Sequence, residues 1–198
     1  MSQFIAGFDE AGRGPLAGPV CAAVVVYPDG FSAGYLNDSK KMTEKRRLAA
    51  VPRIYRTAVA WGIGWASAAE IDEINILQAS LLAMKRAWDC AVQKGHFFEP
   101  GCVKGIVDGL FVPDVPLPCT AVPRADSEIE AVMAASILAK TARDRMMIRY
   151  SWLYPEYGYE KHKGYPTALH REALKQNGPS PLQRISFTLK EKAVSLKD

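Results

Sequence analysis

The stretch FDEAGRGPLAGPV, residues 8–20, constrains this chain more than any other. Adjacent acids, Asp9 and Glu10, close the apolar run FIAGF, which reads as a buried strand. Burying two neighbouring carboxylates is costly unless a partner offsets their charge. A lone acid after a strand is more often a cap or turn former, but an adjacent pair is harder to explain that way. The next residues, Gly12-Arg13-Gly14 and then Gly18, form a loop nearly stripped of side chains, so its backbone can approach a ligand closely. It is not a phosphate-cradling P-loop, because GxxxxGK[ST] is missing.

The pattern beyond this stretch gives an α/β domain with a mixed sheet. VCAAVVVY (20–27) and AVAWGIGWA (58–66) are the second and third strands, and short connections make the three an antiparallel meander. Thr43 is placed to cap a helix through EKRRLAAVPRIY, which Pro52 should kink or shorten. Ser67 and Glu70 form a capping box that opens a helical region to about Lys94, with a break near Asn75. GCVKGIVDG is a fourth strand ending at Asp108, and CTAVP is a short fifth. Ser127 and Glu130 read as a second capping box, opening a long helix over 128–150. A last helix follows Thr167 and stops at Gly178. The expected division is a catalytic domain over 1–178 and a basic tail over 179–198.

The chain has 198 residues and a net charge of +4, a mild bias compatible with nucleic acid without demanding it. SKKMTEKRR, TARDRMMIR and YEKHKGY each read, taken singly, as solvated faces or loops. The four cysteines have no CxxC spacing, and three sit in apolar runs, so buried free thiols are expected. With no basic stretch leading into an apolar one at the N-terminus, the expected location is cytoplasmic and away from the membrane. Nothing in the pattern calls for an oligomer, so a monomer is expected.

Asp9 and Asp108 each end a strand, and Asp126 precedes a helix after another. Strand ends on one edge of an α/β sheet converge on a crevice. If the strands are neighbours, Asp9, Glu10, Asp108 and Asp126 gather there and suit a hard divalent cation, Mg²⁺ or Mn²⁺ rather than zinc. Four acids from three separated strand ends make a metal site the better reading, with a purely structural metal site as the alternative that involves no catalysis.

GFDEAGRGPLAGPV, LNDSKKMTEKRR, IVDG (106–109), ADSEIEAVMAASILAKTARD and YPEYGYEKHKGYPTALHREAL together resemble bacterial ribonuclease HII, type 2 ribonuclease H, from about Phe4 to Phe187. The resemblance implies a ribonuclease H-like mixed sheet flanked by helices, with a helical C-terminal extension. It implies an endonuclease that hydrolyses the RNA strand of RNA–DNA hybrids and incises 5′ of single ribonucleotides in duplex DNA, leaving 5′-phosphate and 3′-OH ends. The family's catalytic, metal-binding acids fall on Asp9, Glu10, Asp108 and Asp126, with two Mg²⁺ or Mn²⁺ ions in the substrate complex. Its sugar-sensing loop falls on Gly12, Arg13 and Gly14, and its substrate-facing tyrosine on Tyr165. Lys40, Lys41, Arg46 and Lys163 are candidates for phosphate contact, and the tail for a replication or repair partner. His162 and His170 read as helpers or surface residues. The chain departs from the family's commoner residues at Leu110, Arg124-Ala125 and Gln183.

Overall fold

The computed structural model describes residues 4–34, 36, 42–93 and 101–187. Lys40, Lys41 and the tail from 188 onward lie outside the described residues.

Strands β1 (Phe4–Ala11), β2 (Val20–Pro28), β3 (Ala60–Ala66), β4 (Val103–Asp108) and β5 (Cys119–Val122) form one sheet in the order β3-β2-β1-β4-β5. The β1–β2 and β2–β3 pairs are antiparallel, as the meander requires. The β1–β4 and β4–β5 pairs are parallel, which makes the sheet mixed and seats β1 at its centre.

Alternation along the strands sorts side chains into two layers. Ala6, Phe8, Val20, Ala22, Val24, Val26 and Val107 face helix α2 (Ala68–Gln93). Ile5, Cys21, Ala23, Val25 and Tyr27 face helices α1 (Glu44–Thr57) and α3 (Glu130–Leu153). Ala131, Ala134 and Ala135 are the small residues that let α3 lie close over β1 and β2. Short helix α4 (Tyr159–His162) and α5 (Ala168–Asn177) follow and build a smaller core around Met147, Tyr157 and Tyr159. The stretch 180–187 packs back on the domain: Ser180 hydrogen-bonds Tyr159 at 2.6 Å, and Gln183 bridges to Ala17.

Most local signals hold. The Thr43 and Thr167 hydroxyls accept from Arg46 N and His170 N. Ser67 and Glu70 cap each other, and Asn75 breaks α2 with φ 66°. Three expectations fail for identifiable reasons. Pro52 does not shorten α1, which runs on to Thr57, because the proline stands on the solvent side, where water can take up the carbonyl it leaves unpaired. Ser127 and Glu130 form no capping box: Ser127 Oγ donates to Arg124 O, and Glu130 accepts from Ser32 Oγ and Ala33 N instead. Helix α3 therefore starts at Glu130, after a separate 3₁₀ turn over Ala125–Ser127. All four cysteines are free, yet only Cys21 is buried.

Candidate metal centre and recognition loop

The parallel pairing of β1 with β4 runs as far as Phe8 opposite Val107. One residue further, Asp9 and Asp108 stand side by side, and alternation turns both toward α3. The third acid comes from the 3₁₀ turn, which is tied to β4 because Ala125 N donates to Asp108 Oδ1 at 2.9 Å. Carboxylate oxygens of Asp9, Asp108 and Asp126 lie within 4.8 Å of one another. Asp9 and Asp126 are buried. Burial, followed by the charges of Glu10 and Asp108, pushes the Asp9 carboxyl well above the usual carboxylate range. Hydrogen bonds from the Ser136 hydroxyl and the Glu10 amide oppose that rise.

Such a set fits a hard divalent cation, whose charge removes the repulsion and whose preferred donors are oxygens. Glu10 is not part of the close trio. It points to Arg13, with Nη1 3.4 Å from Oε1, and lines the same cleft.

The cleft has a volume of about 360 Å³ and is lined by Asp9, Glu10 and Asp108 together with Gly12, Arg13 and Gly14. Tyr165 also lines it and is 40% exposed. A side chain at Gly14 would come within 3.8 Å of the Tyr165 ring, so loop and ring flank one opening. Gly12 has φ 99°, and a Cβ there would lie within 2.8 Å of three Arg143 side-chain atoms, so only glycine fits.

The candidate phosphate contacts are dispersed. Arg46 is exposed on α1, and it is Arg47 that reaches the cleft wall. Lys163 Nζ turns to the Glu160 carbonyl. Lys140 was not singled out from sequence; it lines the cleft, pairs with Asp144 at 2.9 Å and sits 5.8 Å from the centre of the Tyr165 ring. Its i,i+4 spacing to Asp144 was a readable signal. Ser136, on α3, is the hydroxyl that meets Asp9.

His162 and His170 are neither exposed nor near the acids. They are buried and stacked with ring centres 4.5 Å apart. His162 Nδ1 accepts from Gly164 N, and His170 Nδ1 meets Tyr165 O at 3.1 Å, so the pair holds the turn that carries Tyr165. Burial holds both imidazoles below the usual histidine range.

The family model described as Ribonuclease HII matches residues 6–190. Ribonuclease HII of Treponema denticola is 55% identical over 199 aligned positions, which cover 94% of this chain and 98% of that protein. Among solved structures, ribonuclease H2 from Pyrococcus horikoshii OT3 is 27% identical with a TM-score of 0.71, covering 93% of this chain and 94% of that one. Bst-RNase HIII, solved in complex with Mn²⁺, shares the fold at 19% identity with a TM-score of 0.72, covering 94% of this chain and 67% of that one. The paired acids at the end of a central strand, the mixed sheet that brings Asp108 beside them and a profile match along nearly the whole chain lead to one conclusion: the chain belongs to the ribonuclease HII family.

Proposed function

We propose that this protein incises 5′ of single ribonucleotides embedded in duplex DNA, besides cutting the RNA strand of RNA–DNA hybrids, and leaves 5′-phosphate and 3′-OH ends. Family membership makes it a ribonuclease H, a hydrolase that acts as an endonuclease on the RNA of hybrids. The finer reading is carried by one observation: Asp9, Glu10 and Asp108 line the same cleft as the bare G-R-G loop, with Asp126 grouped beside Asp9 and Asp108.

In this reading Asp9, Asp108 and Asp126, completed by Glu10, hold two divalent cations, Mg²⁺ or Mn²⁺. When bound, such ions acidify a water and offset charge on the leaving oxygen. The chain's own groups do the rest. Ser136 orients the Asp9 carboxylate. Ala125 N holds the Asp108 carboxylate through Oδ1. RNA differs from DNA by a hydroxyl that both donates and accepts, so rigid backbone groups at Gly12, Arg13 and Gly14 can recognise it without a flexible side chain. The Tyr165 ring packs on the neighbouring sugar, where a deoxyribose face has room. Arg47 and Lys140 on the cleft wall, together with Arg46, Lys163 and the sequence candidates Lys40 and Lys41, meet phosphates and position the duplex without reading sequence. The work is that of ribonucleotide removal from DNA, in the cytoplasm, with the tail as the segment for a replication or repair partner.

The test is cleavage of a labelled DNA duplex with one ribonucleotide, beside an all-DNA duplex, in Mg²⁺, Mn²⁺ or chelator. A single metal-dependent cut 5′ of the ribonucleotide supports the reading. Cutting of the all-DNA duplex, or tight binding with no cut, overturns it.

A further inference from the structure

Two arginines that look in sequence like solvated charges are the largest fully buried side chains among the described residues: Arg143 at 1% and Arg184 at 0% exposure. Among the described residues neither forms an ion pair with a carboxylate. All six of their hydrogen bonds go to backbone carbonyls instead. Arg184 donates from Nε to Gly18 O, from Nη1 to Arg13 O and from Nη2 to Gly12 O, at 2.9, 2.9 and 2.6 Å. Arg143 donates from Nε to Pro19 O, from Nη2 to Ala17 O and from Nη1 to Lys163 O, at 2.9, 3.2 and 3.0 Å.

Five of those six carbonyls belong to the loop between β1 and β2. A sixth loop carbonyl, Leu16 O, accepts from Arg184 N. The loop's carbonyls at 12, 13 and 16–19 are thus all turned inward. Among the described residues no hydrogen bond engages the N–H of Arg13 or Gly14, the two amides at the cleft. A guanidinium stays charged at neutral pH even when buried, so two cations underlie those amides. The remaining Arg143 bond, to Lys163 O, ties the loop to the turn that carries Tyr165, as does Leu16 N to Gly164 O at 2.8 Å.

We propose that Arg143 and Arg184 are positioning residues for ribose recognition: together they draw the loop's carbonyls inward, present its amides to the substrate and lock the loop in register with Tyr165. The proposal rests on the reading of the G-R-G loop given above. It adds two residues remote from the acids, and it states that the loop meets its ligand as a hydrogen-bond donor. Lysine cannot replace either arginine, because one ammonium cannot span three carbonyls in a planar fork.

Asp72 extends the device. Its carboxylate accepts from Ile185 N and Ser186 N, both at 2.9 Å, and from Ser186 Oγ, pinning the segment that carries Arg184. Asp72 lies far from both sides of the cleft in sequence and does not line it.

The experiment measures binding by fluorescence anisotropy in Ca²⁺, where duplexes stay uncut, with thermal melts alongside. The probes are a DNA duplex with one ribonucleotide and the same duplex in all-DNA form. Wild type, Arg184→Lys, Arg143→Lys and Asp72→Asn are compared. In the two arginine variants the preference for the ribonucleotide falls at least about tenfold, the worth of one or two charge-assisted hydrogen bonds. Affinity for the all-DNA duplex stays within about twofold, because phosphate contacts are untouched. Asp72→Asn loses about threefold of the preference and covers the case in which an arginine variant does not fold. A folded arginine variant with the wild-type preference overturns the proposal. So does an unaltered Asp72→Asn where neither arginine variant folds. A wild type with no preference fails at the earlier step and removes the loop reading itself.

Discussion

Substituting Gly7 by alanine tests how closely β1 and α3 must meet to build the site. Gly7 shares its strand face with Asp9, and a Cβ there would lie no more than 2.5 Å from Ala131 C, Ala131 O and Val132 N. These are backbone atoms, so no side chain can rotate aside, and α3 must retreat by about 1 Å to restore ordinary contact. Overpacking of this kind costs about 2–3 kcal/mol. The same displacement stretches the Asp9–Ser136 hydrogen bond, adding about 1 kcal/mol. The sum, about 3–4 kcal/mol, corresponds to a drop in Tm of about 6–16 °C for a domain of this size. Differential scanning calorimetry reads the stability, and cleavage of the single-ribonucleotide duplex reads the site. A Tm within about 2 °C of wild type, with unchanged cleavage, would show that α3 yields freely and refute the argument.

Asp9→Asn should lower cleavage at least about a hundredfold; it should also abolish the stabilisation that Mn²⁺ gives the wild type, about 2.7 kcal/mol at a hundredfold excess over Kd, read as a rise in Tm of about 5–11 °C. A metal-induced shift that survives the substitution would remove Asp9 from the ligand set. Tyr165→Phe should keep most of the activity, whereas Tyr165→Ala should lose about tenfold at a single ribonucleotide and less on long hybrids; equal losses on both would count against the sugar contact. The histidine pair should destabilise the fold in acid. Burial, opposed for His162 by the Tyr157 carbonyl, holds both pKa values below the unfolded value, so the unfolded chain takes up protons first. Stability is unaffected above about pH 6.5 and falls as the pH drops below it. Imidazole ¹⁵N NMR should find each ring taking up its proton at lower pH than a free histidine does, with the neutral rings protonated at Nε2 in His162 and at Nδ1 in His170; a ring that titrates at or above the free value would contradict the packing.

The acids were legible because burying Asp9 and Glu10 after an apolar run has few physical solutions. Their meeting with Asp108 was legible only as a condition, since a strand's neighbour across a parallel pair is not written in its own residues. The caps at Thr43, Thr167 and Ser67 were local and held. The Ser127–Glu130 box was local too, but it lost to a tertiary competitor when Glu130 bound Ser32 and Ala33. The buried roles were the least visible. Arg143 lies in TARDRMMIR and His162 in YEKHKGY, runs whose charge density reads as solvated surface. Arg184 stands in a stretch taken as tail. Each is buried because backbone carbonyls from distant segments satisfy it, and such partners leave no trace in side-chain pattern.

The bonds from Arg184 to Gly12 and Gly18 span 172 and 166 residues. The ribosome adds about 5–20 residues per second, so the loop is made roughly 9–34 s before the residue that shapes it. The acids come together sooner: Asp126 is translated 58 residues before Arg184 (184 − 126). A nascent chain can thus gather its carboxylates while the β1–β2 loop still lacks the four hydrogen bonds that Arg184 gives it. On the proposed role of Arg184, selectivity comes later in synthesis than the gathering of the acids, and a product cut short ahead of residue 184 would carry the acids without the arginine proposed to aim them.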